Sequence, residues 1–185
     1  MKNNNYDQII IELKGTLSKL DEKSIDQLLE AMISSNRIFL TGTGRSGLII
    51  KCFAMRLMQL GLKVFVVGET TAPGISKSDL LIIGSSSGET GSVSIFAKEA
   101  KKHNARLGLI TAFPDSTIGK LADIKIFVSV PIDNNRLAHG STSIQPGGSL
   151  FEQSMMLLLD GVVLKLMEKL NVDPSSMSAN HANLE

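Results

Sequence analysis

Six residues, Ser85-Ser86-Ser87-Gly88-Glu89-Thr90, stand between the apolar run Leu80–Gly84 and a helical pattern that follows at once. A strand-to-helix turn needs little more than a glycine and one capping residue, so hydroxyls in this number suggest that the loop holds something. A second loop, Thr41-Gly42-Thr43-Gly44-Arg45-Ser46-Gly47, also leads from an apolar run into a helix. At a helix N-terminus free N–H groups and the dipole favour an anion. Glycines at 42, 44, 47 and 88 let the backbone approach closely, while Ser46, Ser85, Ser87 and Thr90 offer hydroxyl donors. A phosphate monoester carries about −1.5 to −2 charges and three strong acceptor oxygens, which hydroxyls and amides can satisfy without a lysine. The plainer alternative is that Ser87 is an N-cap and that Ser85 and Ser86 fill a turn.

The glycines at 42, 44 and 47 have the spacing of a dinucleotide fingerprint. The end of the second strand, however, offers only Glu69 as an acid, and a dinucleotide leaves the serine loop without a task. No Gly-Lys-Ser/Thr follows, so it is not a Walker loop. A phosphate on a smaller molecule fits both loops better.

Short β-rich runs alternate with longer helical patterns and supply the elements that position these loops. The expected strands are 37–41, 63–67, 79–85, 106–110 and 124–130, nearly continuous in apolar residues, as strands buried on both faces of a parallel sheet are. Helices are expected at 46–60, 89–104 and 116–121, with two before the first strand and a long one over 149–170. The alternation implies one α/β domain over residues 1–185, a doubly wound five-stranded parallel sheet flanked by helices. In such a sheet ligands bind outside the carboxyl ends of the strands, where strand order reverses. Ile25, Leu28, Leu29, Met32 and Ile33 form the buried stripe of the second helix. The helix after the first strand, and the last one with Met155 to Leu159 in a row, are apolar nearly all round. They need cover on more than one side, which implies an oligomer.

The charges nearly cancel, 19 basic against 18 acidic, and the basic residues are dispersed, so no nucleic-acid footprint or polybasic anchor is visible. The most apolar stretch, around Met155 to Met167, is broken by Asp160 and Lys165 and is too short for a membrane span. Cys52 is the only cysteine and reads as a small buried residue. With no apolar leader at the N-terminus, the expectation is a cytoplasmic protein. The histidines are far apart, with no pattern of metal-ligand spacing, and no metal or other cofactor is expected. His103, at a helix end, reads as structural; His139 is ambiguous.

The segments Gly42 to Gly47 and Ser85 to Thr90, together with 44–61, 67–73, 145–153 and the closing 181–185, resemble the 6-phospho-3-hexuloisomerase family of the sugar isomerase (SIS) domain, a flavodoxin-like fold. Gly147 departs from the family's usual methionine and Asn180 from its frequent arginine. The resemblance implies conversion of D-arabino-3-hexulose 6-phosphate to fructose 6-phosphate through a cis-enediol, in the ribulose monophosphate pathway of formaldehyde assimilation, by a homotetramer without metal. A base takes the C2 proton, electrons flow to the C3 oxygen, and the proton returns at C3. Such chemistry needs one tuned carboxylate or imidazole and donors for the enediolate oxygens.

Glu152 matches the family's presumed base, although Ser149-Leu150-Phe151-Glu152 also reads as a capping box, with the carboxylate bonded back to the Ser149 amide. The resemblance gives His181 a role in proton transfer at a neighbouring subunit's site, although a tail like 173–185 would ordinarily fray. Arg45, with Gly44 beside it, suits a phosphate, an enediolate or a plain salt bridge. Glu69, Thr70 and Thr71 suit sugar hydroxyls or a turn before Pro73. An aldose–ketose isomerase such as arabinose 5-phosphate isomerase shares the domain but commonly carries further C-terminal modules. A phosphosugar sensor is the non-catalytic alternative, and it has no use for a base over C2.

Overall fold

The central strands are built from residues that shun water on both faces. In the computed structural model, which describes residues 4–131 and 143–184, β1 (Ile38–Gly42), β3 (Leu80–Gly84) and β4 (Arg106–Thr111) are buried almost throughout. β2 (Val64–Val66) and β5 (Ile124–Phe127) form the edges of a five-stranded, all-parallel sheet of order β2-β1-β3-β4-β5. Strand order therefore reverses between β1 and β3, whose last residues, Gly42 and Gly84, are register partners. β5 departs from the expected continuous burial. Ile124 and Ile126 point inward while Lys125 and Phe127 face out, as suits an edge.

Alternation along the strands divides the core in two. Ile38, Leu40, Leu80 and Ile82 pack with α2 (Glu22–Ser34), α3 (Gly44–Gln59) and α6 (Ser149–Leu170). Phe39, Leu81, Ile83 and Leu109 pack with α4 (Gly91–Lys102) and α5 (Thr117–Leu121) on the opposite face. α1 (Asn5–Leu17) lies along α6. α6 is anchored by Phe151, Met155, Leu158, Leu159, Val162 and Leu166, all buried. At about 1.5–3 kcal/mol for each such side chain, its seat does not depend on any polar residue in its first turn.

Three expectations need correction. Cys52 is exposed, because it falls between Leu48 and Met55 on the outer face of α3 rather than on the stripe of Ile49, Ile50, Phe53 and Leu57. Ile33 is exposed because the apolar arc of α2 is wider than the surface it meets. The tail does not simply fray. Asp173 caps α7 (Pro174–Ala179) through the Ser176 amide, Val172 and Met177 pack on the core, and the Asn180 side-chain amide donates to the Gln59 carbonyl at 3.0 Å.

Candidate functional site

At the carboxyl ends of β1 and β3 the backbones come too close for side chains. A Cβ on Gly42 would stand 2.9 Å from the Gly84 carbonyl oxygen, and one on Gly47 would stand 2.7 Å from that of Gly42. A Cβ on Gly84 would meet Ile50 of α3 and Met155 of α6. Three glycines thus let two loops and two helix starts converge on the point where strand order reverses, the expected ligand crevice of this architecture.

The serine loop is held by its own hydroxyls. Ser85 Oγ accepts from the Gly88 amide at 3.2 Å and lies 3.5 Å from Thr90 Oγ1, while Ser87 Oγ accepts from the Glu89 amide at 3.2 Å. An oxygen that accepts a backbone N–H keeps its own proton to donate outward. Ser87 is not the N-cap of α4. That position belongs to Thr90, whose side chain caps no backbone amide, as is also true of Thr43 before α3. Among the described residues the first turns of both helices therefore keep N–H groups that the cap side chains do not satisfy, a favourable surround for an anion. Ser87 and Thr90 are half-buried, whereas Ser46 and Ser85 are 8% and 5% exposed.

A second layer, silent in the sequence, supports this loop. Gly88 has φ +60°, and a Cβ there would stand 2.0 Å from Ser116 Oγ. Thr111 Oγ1 donates to the Ser86 carbonyl, the Ile118 amide donates to the Gly88 carbonyl, and the Thr117 amide donates to Glu89 Oε1 at 2.7 Å. Strand β4 and helix α5 thus buttress the loop from outside. The repeated hydroxyls at 111, 116 and 117 were the available signal, but they lie more than twenty residues from the loop they brace.

Glu152 is not in a capping box. The N-cap of α6 is Gly148, and the Glu152 amide donates to its carbonyl at 3.0 Å, so Ser149 already lies inside the helix. The freed carboxylate turns to Arg45, whose Nη1 donates to Glu152 Oε2 at 3.0 Å and to Ser149 Oγ at 2.9 Å. The Glu152 side chain is 17% exposed. Met155, one helical turn on and on the same face, rests on Gly84 immediately before Ser85. The glycine loop, the serine loop and Glu152 are therefore brought together.

Other candidates are not. Glu69 leaves β2 on the same side of the sheet, but its exposed carboxylate accepts from Lys51 Nζ at 2.8 Å. That bond and the lysine's charge hold its carboxyl below the ordinary value. The Ala72 amide donates to the Glu69 carbonyl, closing a turn around the exposed Thr70 and Thr71. His103 ends α4, its ring 3.1 Å from Glu99 Oε1, in keeping with a structural residue. His139 lies outside the described residues. His181 stands beside Asn180, which is tied to Gln59 at the far end of α3. Residues 45 and 59 are roughly 20 Å apart along a helix, so His181 is remote from its own chain's Glu152. Among the described residues no cluster of His, Cys, Asp and Glu has the make-up of a metal site, and no helix is long and apolar enough to cross a membrane.

A family model described as the SIS domain matches residues 31–154, which include both loops and Glu152. The 3-hexulose-6-phosphate isomerase of Bacillus subtilis is 44% identical over 179 residues, 96% of each chain. That of Mycobacterium gastri is 38% identical over 183 residues, 98% of this chain and 90% of its own. A crystal structure from Methanococcus jannaschii, for which a 3-hexulose-6-phosphate isomerase function was inferred, superposes with TM-score 0.84 at 36% identity and covers 97% of this chain and 98% of its own. With the strand-reversal crevice, the paired loops and near full-length likeness all in agreement, this chain belongs to the SIS domain family, among relatives named 3-hexulose-6-phosphate isomerase.

Proposed function

We propose that the protein isomerises D-arabino-3-hexulose 6-phosphate to fructose 6-phosphate through a cis-enediol, with Glu152 as the base. The observation that carries this reading is the release of Glu152 from the helix cap and its placement against Arg45, beside both anion-suited loops. The names of the full-length relatives support the choice of substrate. In this reading Ser87, Thr90 and the first turn of α4 hold the phosphate, with Ser46 and Ser85 shaping the pocket and Gly44 admitting the substrate to the backbone. Glu152 takes the C2 proton and returns it at C3. Among the described residues Arg45 bonds Ser149 and Glu152 through Nη1, which leaves Nη2 and Nε to donate to the developing enediolate oxygen. Glu69 and Thr70 leave β2 on the same side of the sheet but stand apart from this group, and a contact with the sugar's far hydroxyls would require the Lys51 bond to open.

The tether of Asn180 at the far end of α3 keeps His181 away from its own chain's Glu152, which supports a role for His181 in proton transfer at a neighbouring subunit's site. The working form is then a homo-oligomer, in the family's manner a tetramer, acting in the cytoplasm on formaldehyde-derived hexulose phosphate.

The test compares fructose 6-phosphate formation by wild type and Glu152→Gln, with substrate made in place from ribulose 5-phosphate and formaldehyde. A general base contributes about 10²–10⁴ in rate, and the well-seated α6 keeps the variant folded. Turnover that survives in the variant removes Glu152 from the chemistry. Absence of turnover in both, with fructose 6-phosphate still raising Tm, identifies a phosphosugar sensor instead.

A further inference from the structure

We propose that Glu12 of α1 is a positioning residue for the reaction proposed above, anchoring the strap 143–148 and through it the first turn of α6 that carries Glu152. Its carboxylate accepts three hydrogen bonds from successive residues of that strap. Ser143 Oγ donates to Oε2 at 2.8 Å, the Ile144 amide to Oε1 at 2.8 Å, and Gln145 Nε2 to Oε2 at 2.9 Å. An ionised carboxylate is acceptor-only and can take all three; a neutral side chain of the same shape cannot. Burial raises the Glu12 carboxyl, but the bonds from Gln145, Ile144 and Ser143 outweigh it and leave it below its ordinary value.

The strap passes this anchorage to the site within a few residues. The Ser149 amide donates to the Pro146 carbonyl, Gly147 turns the chain with φ +57°, and Gly148 accepts from the Glu152 amide. Arg45 grips the same first turn through Ser149 and Glu152. A cavity of about 440 Å³ lies between α1 and the strap, bounded by Asn5, Gln8, Arg45, Gln145, Ser149 and Gln153. A strap released from Glu12 has that space to move into, which would shift Gly148 and Ser149 and so the aim of the Glu152 carboxylate at Arg45, while the body of α6 stays seated. Side-chain misplacement of about an ångström is enough to cost a reaction on the order of 10²-fold.

The test measures steady-state kinetics and amide exchange in wild type, Glu12→Ala, Glu12→Gln and Asp7→Asn, the last removing a charge from α1 away from the strap. The expected order of kcat is wild type, then Gln, then Ala, with Ala at least about tenfold down and KM within about threefold. Gln recovers part of the loss because the Gln145 amide can turn to meet it. Exchange at Ile144 and its neighbours rises in the same order, and Asp7→Asn matches wild type. A wild-type kcat in Glu12→Ala overturns the proposal, as does a loss that only follows the unfolded fraction seen by circular dichroism. Should Glu12→Ala fail to fold, Glu12→Gln carries the comparison, and a kcat equal to wild type then counts against it. A wild type without turnover sinks the isomerase reading and the catalytic half of this one, while exchange still decides whether Glu12 anchors the strap.

Discussion

Ser85 and Ser87 sit two residues apart and should fail in different ways. Ser87 is half-buried and its oxygen already accepts from Glu89, so its proton is available to a phosphate. A hydrogen bond to a charged group contributes about 1.5–3 kcal/mol. Ser87→Ala should therefore raise KM for the phosphosugar roughly tenfold or more with little change in Tm. Ser85 is buried and accepts from the Gly88 amide. Its removal strands that amide, so Ser85→Ala should lower stability by about 1–3 kcal/mol, read as a fall of several degrees in a thermal melt. Exchanged phenotypes would exchange the two roles. The hydroxyl content of this loop was legible in the sequence because its residues are contiguous. The partner of Glu152 was not: Ser149 and Glu152 have the spacing of a capping box, and only the three-dimensional approach of Arg45, more than a hundred residues away, shows where the carboxylate goes. Glu12 gave no signal for the same reason.

The elements were easier to read than their ends. The three central strands were visible as apolar runs, because burial on both faces leaves no polar alternation to confuse them. The edges shifted most: β5 stops at Phe127, well before the end of its apolar run, and β2 keeps three residues. α7 was readable and was missed, since Asp173 followed by Pro174 is a cap and first-position pair. At the amino ends of the strands Asp79, with no exposed side-chain surface, is paired with Arg37 at 2.7 Å and bonded by the Ser76 amide and hydroxyl. Burial raises its carboxyl, but the bonds from Arg37 and Ser76 prevail and hold it below the ordinary 3.8. The group contributes stability in full above its unfolded value and loses it as pH falls through the lower folded one. Asp79→Ala should cost about 3 kcal/mol at neutral pH, near the low end for breaking a buried pair because Arg37 keeps some access to water. The gap from wild type in denaturant titrations should narrow only in strong acid. A constant gap from pH 7 down to 2 (spanning the ordinary carboxylate range) would show that packing, not charge, is at stake.

For the whole molecule, the informative surface is the one left uncovered. Leu48 and Met55 on α3, Met156, Leu157 and Leu164 on α6, and Tyr6, Ile10 and Ile11 on α1 are large and exposed. Sedimentation should show an assembly heavier than the 19.9 kDa chain, and Leu48→Glu with Met55→Glu should shift it toward that mass. The exposed Cys52, between Leu48 and Met55 on the outer face of α3, should react faster with a maleimide in the double variant than in wild type. Glu152→Gln and His181→Asn subunits, each inactive alone, should regain activity when mixed, because some sites then receive an intact residue from each chain. Failure of the mixture to recover, with exchange of subunits verified, would remove His181 from the partner's site. The bond from Asn180 to the Gln59 carbonyl has a consequence beyond geometry. On the proposed role of His181 in a neighbour's site, this tether holds the histidine away from its own chain's Glu152, so turnover per chain should follow mass action: low at protein concentrations where subunits drift apart and constant once every chain has found a neighbour.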